Sequence, residues 1–159
     1  KEESCDFKIL NAVLEVNQRQ KTILIPKIEN YFNGALKGRK IALWGLAFKP
    51  ETDDIREAPA LDVIEALLAQ GTKIAAFDPE AMPNVQNKLG DSIDYAQSMY
   101  EALNDADALV ICTEWSIFRT PDFEKIKALL KTPVIFDGRN LYELEEVKQQ
   151  GIDYFSIGR

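Results

Sequence analysis

Ile41-Ala42-Leu43-Trp44-Gly45-Leu46-Ala47-Phe48-Lys49-Pro50-Glu51-Thr52-Asp53-Asp54-Ile55-Arg56-Glu57 opens on apolar residues and ends among charges. Its first part, Ile41–Leu46, predicts a buried strand, and a helix is expected to begin near Pro59. Connections between such elements usually span about two to six residues. This one is longer, and it carries two cations, Lys49 and Arg56, among four acids, Glu51, Asp53, Asp54 and Glu57. In doubly wound sheets, ligands bind at the carboxyl ends of the strands. Fixed cations in such a loop suit phosphates or carboxylates.

Working outward, strands and helices alternate. Strands are expected at Lys73–Phe77, Ala108–Cys112, Val134–Phe136 and Asp153–Ser156. Helices are expected at Pro59–Leu68, Ser98–Leu103, Asp122–Leu130 and Leu141–Gln150, with a short helix or turn between Pro83 and Gly90. This alternation predicts an α/β fold, a Rossmann-like three-layer sandwich with a mostly parallel sheet of about five or six strands. Upstream, Phe7, Leu10, Val13 and Leu14, then Ile23, Leu24, Ile28 and Tyr31, recur at helical spacing. Residues from about Asp6 to Phe32 therefore read as a helical arm, which Pro26 kinks or divides in two. Its apolar stripe needs a partner: the domain, an upstream domain or a second copy. Trp44 and Cys112 read as core residues of strands.

The chain has 159 residues, of which 46% are hydrophobic, enough for one folded domain. Its formal charge of −7 argues against nucleic acid as partner. No apolar run reaches the roughly 18 residues of a membrane helix. Two cysteines, Cys5 and Cys112, without a signal peptide, suggest a reducing cytoplasm. Histidine is absent, which removes the commonest general base and metal ligand, and no metal site is expected.

Each candidate has an ordinary alternative. A dinucleotide turn needs three glycines, yet only Gly45 is present, followed by bulky Phe48 and Pro50, so NAD is not expected in the usual way. Asp78 stands where such folds place a ribose-binding acid; an Asp-Pro turn is the preferred reading. Lys49 reads equally as a solvated lysine or a ligand cation. Arg56 has acids beside it that either pair with it or orient its fork. Arg139 follows the strand Val134–Phe136, with Gly138 permitting a tight turn that aims it; its alternative partner is Asp137.

Four motifs in order carry a resemblance: Val16-Asn-Gln-Arg-Gln20, Gly45–Glu57, Ala108-Leu-Val-Ile-Cys-Thr-Glu-Trp115 and Phe136-Asp-Gly-Arg-Asn-Leu-Tyr142. Together they resemble the C-terminal part of the UDP-glucose 6-dehydrogenases, within the UDP-glucose/GDP-mannose dehydrogenase family. The resemblance implies an excised part of an NAD-dependent enzyme that oxidises UDP-glucose to UDP-glucuronate in two steps through a cysteine nucleophile. It implies a helical arm over residues 1–36, from a central region that builds a homodimer, and a UDP-sugar-binding domain over residues 37–159. By the same resemblance, Phe48, Lys49 and Arg139 contact the UDP-sugar, and Arg56 reaches NAD held by an N-terminal domain absent from this chain. Cys5 lacks the glycine-rich surroundings of the family's nucleophile, so no catalytic residue is expected here and the chain alone should be inactive. Thr113-Glu114-Trp115 receives no assigned ligand role. Other readings left open are a dehydrogenase for UDP-N-acetylmannosamine or GDP-mannose, a non-catalytic nucleotide-sugar-binding module, and a dimerisation module.

Overall fold

Ala108–Ile111 and Val134–Asp137 are buried at every position, as strands must be when both faces of their sheet are covered. A computed structural model describes residues 7–158. The reading of Cys5 and the start of the arm at Asp6 lie outside the described residues. In chain order the elements are α1 Lys8–Lys21, α2 Leu24–Tyr31, β1 Lys40–Trp44, α3 Pro59–Ala69, β2 Lys73–Phe77, α4 Met82–Leu89, β3 Asp94–Tyr95, α5 Met99–Leu103, β4 Ala108–Ile111, α6 Phe123–Leu129, β5 Val134–Asp137, α7 Leu144–Gln149 and β6 Asp153–Ser156.

All six strands pair in parallel, in the order β3-β2-β1-β4-β5-β6. The fold is the expected Rossmann-like α/β sheet with flanking helices, and its strand order is that of dinucleotide-binding sheets. The order reverses between β1 and β4, so the crevice for a ligand opens above Trp44 and Ile111. Trp44 is fully buried, stacks on Phe118 at 5.0 Å between centroids and donates from Nε1 to the Met99 carbonyl.

Local chemistry sets the boundaries. Strand β1 ends at Trp44, two residues before the expected limit, because Gly45 turns the chain at φ +87°. A Cβ on Gly45 would lie 2.5 Å from the Thr113 Cβ, so only glycine lets the ends of β1 and β4 meet. Ser98 caps α5 by accepting from the Glu101 amide, and Asp122 caps α6 by accepting from the Lys125 amide. Helix α7 starts at Leu144 rather than Leu141, because the Leu141 amide donates to Asp137 at 2.7 Å and Tyr142 is buried. The two-residue β3 pairs with β2 and was too short to show as a periodic signal.

The upstream helical stretch divides at Thr22, and Pro26 lies in the first turn of the second helix, where its missing amide costs nothing. Helix α2 belongs to the main body: Leu24, Ile25, Ile28, Phe32 and Leu36 share one core with the sheet. Tyr31 anchors it by donating to Asp153 Oδ2 at 2.6 Å. A boundary after residue 36 therefore cuts through one packed unit. Helix α1 is different. None of its residues is buried, and Ile9, Leu10, Val13, Leu14 and Val16 are exposed. Its last turn meets the start of α3, where Lys21 pairs with Glu57 and Gln18 donates to Asp62 at 3.4 Å. No helix among the described residues is long and apolar enough to cross a membrane.

Candidate functional site

A cavity of about 500 Å³ lies where α1 and α2 overhang the carboxyl ends of the sheet. Ligand pockets typically span about 300–1,000 Å³. Its floor includes Ile111, Cys112 and Gly138; Leu24 and Val63 add apolar wall; Phe48, Lys21 and Arg139 stand around it. The cavity exists because β4 and β5 end close together. The Gly138 amide donates to the Ile111 carbonyl at 2.9 Å, and a Cβ on Gly138 would fall 3.0 Å from that oxygen and 3.3 Å from Leu24 Cδ1. Arg139 then leaves the floor at a fixed point.

Arg139 is aimed by two acids. Its amide donates to Asp137 Oδ1 at 2.7 Å, so the neighbouring acid grips its backbone rather than its guanidinium. The guanidinium pairs with Glu114, Nη2 donating to Oε1 at 2.6 Å, with Nε in ionic contact with Oε2. Burial works against the Glu114 carboxylate, but Arg139, a backbone amide and the Arg119 charge together outweigh it and hold its pKa below the usual value. Asp137 is fully buried and also accepts from the Leu141 amide and from Tyr154 Oη, at 2.7 and 2.8 Å. Across the cavity, Lys21 pairs with Glu57 and holds that acid's pKa down. Both cations thus reach the hollow already oriented by a carboxylate.

The structure brings Phe48 and Arg139 together in one cavity. Phe48 is 48% exposed, a large ring held in the open beside the hollow. Lys49 and Arg56 lie elsewhere on the loop, gathered around Asp54. Arg56 takes both Asp54 oxygens, from Nε at 2.9 Å and Nη2 at 2.7 Å, and with Lys49 it holds that carboxyl down to about 2. The Arg56 side chain is 87% exposed.

Cys112 lies on the cavity floor but is no nucleophile. Burial, with Asp137 nearby, pushes its thiol up to about 12. Cations, an open ring and apolar wall around one hollow suit the holding of a charged ligand. Nor does the β1 turn fit a dinucleotide pyrophosphate. The Leu46 and Ala47 amides, which would face a phosphate, both donate to Asp78 Oδ2, at 2.7 and 3.1 Å. Asp78 does form the expected Asp-Pro turn, accepting from the Glu80 and Ala81 amides, but it reaches further than a turn. Lys21, Leu24 and Glu114 had no site role in the sequence reading. Glu114, three residues past β4, carried a positional signal; Lys21 and Leu24 carried none, since only the docking of α1 and α2 places them.

Residues 42–144 match the model of the UDP-glucose/GDP-mannose dehydrogenase family, UDP binding domain. The chain is 46% identical, over 97% of its length, to a UDP-glucose 6-dehydrogenase of Pseudomonas aeruginosa, and covers 35% of that protein. It is 44% identical over 96% of its length to the UDP-glucose 6-dehydrogenase TuaD of Bacillus subtilis, covering 33% of it. The solved UDP-glucose dehydrogenase of the archaeon Pyrobaculum islandicum superposes with a TM-score of 0.75 at 32% identity, over 93% of this chain and 31% of that one. The chain thus spans about a third of the length of these relatives.

Proposed function

The chain belongs to the UDP-glucose/GDP-mannose dehydrogenase family, and we propose that it is the UDP-sugar-binding domain of an NAD-dependent UDP-glucose 6-dehydrogenase, a cytoplasmic homodimer that converts UDP-glucose to UDP-glucuronate. One observation carries this reading: Arg139, its guanidinium held by Glu114 and its backbone by Asp137, lines a cavity at the carboxyl ends of parallel strands together with the ring of Phe48. A planar guanidinium suits bidentate contact with phosphate oxygens, and an exposed ring suits an apolar ligand face.

In this reading Phe48 and Arg139 hold the nucleotide and Lys49 adds a point charge from the same loop. Arg56 extends toward NAD, which lies outside this chain, because Asp78 already takes the amides of the β1 turn. The cofactor's chemistry is hydride acceptance; the residues here position the sugar for it. The exposed apolar residues of α1 supply the surface for a second copy.

Calorimetric titration of the 159-residue chain tests the reading. UDP and UDP-glucose bind, uridine binds more weakly for lack of phosphates, and NAD gives no heat. Absence of UDP binding contradicts it. In the full-length protein, turnover with UDP-glucose exceeding that with UDP-N-acetylmannosamine or GDP-mannose supports the named sugar, and the reverse order overturns it.

A further inference from the structure

We propose that Asp78 and Thr113 are positioning residues that set the aim of the Phe48-Lys49 loop; the proposal rests on the UDP-binding reading above. Both side chains are fully buried. Asp78 Oδ2 accepts from the Leu46 amide at 2.7 Å, the Ala47 amide at 3.1 Å and Trp115 Nε1 at 3.0 Å. Its Oδ1 accepts from the Glu80 and Ala81 amides at 2.9 and 2.8 Å. One carboxylate therefore ties together the carboxyl ends of β1, β2 and β4.

Thr113 completes the grip. Its Oγ1 donates to the Ala47 carbonyl at 2.6 Å. Ala47 is thus held from both sides, its N–H by Asp78 and its C=O by Thr113. The next residue is Phe48, whose own amide donates to the Asp54 carbonyl at 2.8 Å and closes the loop. Phe48 can stand half in the open and still line the cavity because the backbone before it has no freedom left. In a dinucleotide fold the acid at the end of the second strand faces a ribose. Here it faces inward and fills the place of the phosphate, turning a cofactor turn into a rigid mount for a substrate loop.

A merely structural acid gives a control. Asp107, at the amino end of β1, accepts from Arg39 Nη1 and the Lys40 amide, each at 2.9 Å, far along the strand from the cavity. The test is UDP titration into the 159-residue chain, each variant kept where circular dichroism shows it folded. Asp78→Asn and Thr113→Val are expected to raise the Kd for UDP about tenfold, since buried amides and a carbonyl lose their partners and the loop loosens. Thr113→Ser, which keeps the hydroxyl, restores the wild-type value. Asp107→Asn lowers stability and leaves the Kd unchanged. Wild-type Kd in both Asp78→Asn and Thr113→Val overturns the positioning role while leaving the UDP site intact, and so does an equal loss in Asp107→Asn. If Asp78→Asn does not fold, Thr113→Val and its Thr113→Ser rescue decide alone. A wild-type chain that fails to bind UDP overturns the site itself, and the positioning role with it.

Discussion

Arg139 and Glu114 stand side by side because β5 and β4 run in parallel register, Ile111 opposite Asp137, so that the residues just beyond each strand end meet. The resulting pair, Nη2 to Oε1 at 2.6 Å, leaves the other guanidinium nitrogen edge for a ligand. The side chains are 37% and 22% exposed, so the pair is part-buried, and removing Arg139 leaves a partly desolvated carboxylate unpaired at a cost of about 1–3 kcal/mol. Arg139→Ala is expected to weaken UDP binding at least about tenfold, or about 1.4 kcal/mol, in samples that are still folded at the titration temperature. Arg139→Lys, which keeps charge but not the fork, should fall between. Calorimetry and thermal melting of the same samples check this.

Arg56 gives the opposite expectation. Its fork is spent on Asp54 and its side chain faces solvent. Arg56→Ala should leave UDP binding by this chain at the wild-type value, and should raise the KM for NAD in the full-length enzyme. A loss of UDP affinity in the isolated chain would show that the loop cations act together.

Gly45 tests the junction of β1 and β4. Alanine there adopts φ +87° at a strain of about 1–3 kcal/mol, and its Cβ strikes the buried side chain of Thr113. Gly45→Ala should destabilise the fold by about 2 kcal/mol or more in urea unfolding. An unchanged midpoint would mean that the strand ends are not in contact.

Alkali should unfold the chain for a definable reason. Burial, with Asp137 nearby, raises Cys112 from 9.0 to about 12, and burial with the Asp153 hydrogen bond raises Tyr31 from 10.0 to about 12. Tyr142 is raised too, by burial and by Asp137. These groups keep their protons in the folded state and lose them earlier in the unfolded one. Their contribution is therefore complete below about pH 9 and declines as pH climbs from there toward about 12. Urea midpoints across that range, with tyrosinate absorbance of the folded protein lagging that of the urea-unfolded chain, check the sign.

The sheet was legible because β1, β4 and β5 are continuous apolar runs, a pattern that survives without knowledge of neighbours. The charged loop and the arginine beyond β5 were legible as positions, since the carboxyl end of a parallel strand is defined by chain direction alone. What joins them was not. Glu114 meets Arg139 only through the register of two strands, Lys21 reaches the cavity only through the docking of α1, and Leu24 only through α2, whose apolar residues are indistinguishable by periodicity from those of the exposed helix before it. Asp78 read as a turn residue, and its turn bonds are present; its bonds to Leu46, Ala47 and Trp115 required the three strand ends to be brought together.

The decisive measurement is an amide-resonance map of the isotopically labelled chain titrated with UDP. The largest shifts should fall on Phe48, Cys112, Gly138 and Arg139, with Lys40, Lys73 and Asp107 at the other end of the sheet unmoved. Shifts centred away from that hollow, or none at saturating UDP, would contradict the assignment of this cavity to the nucleotide.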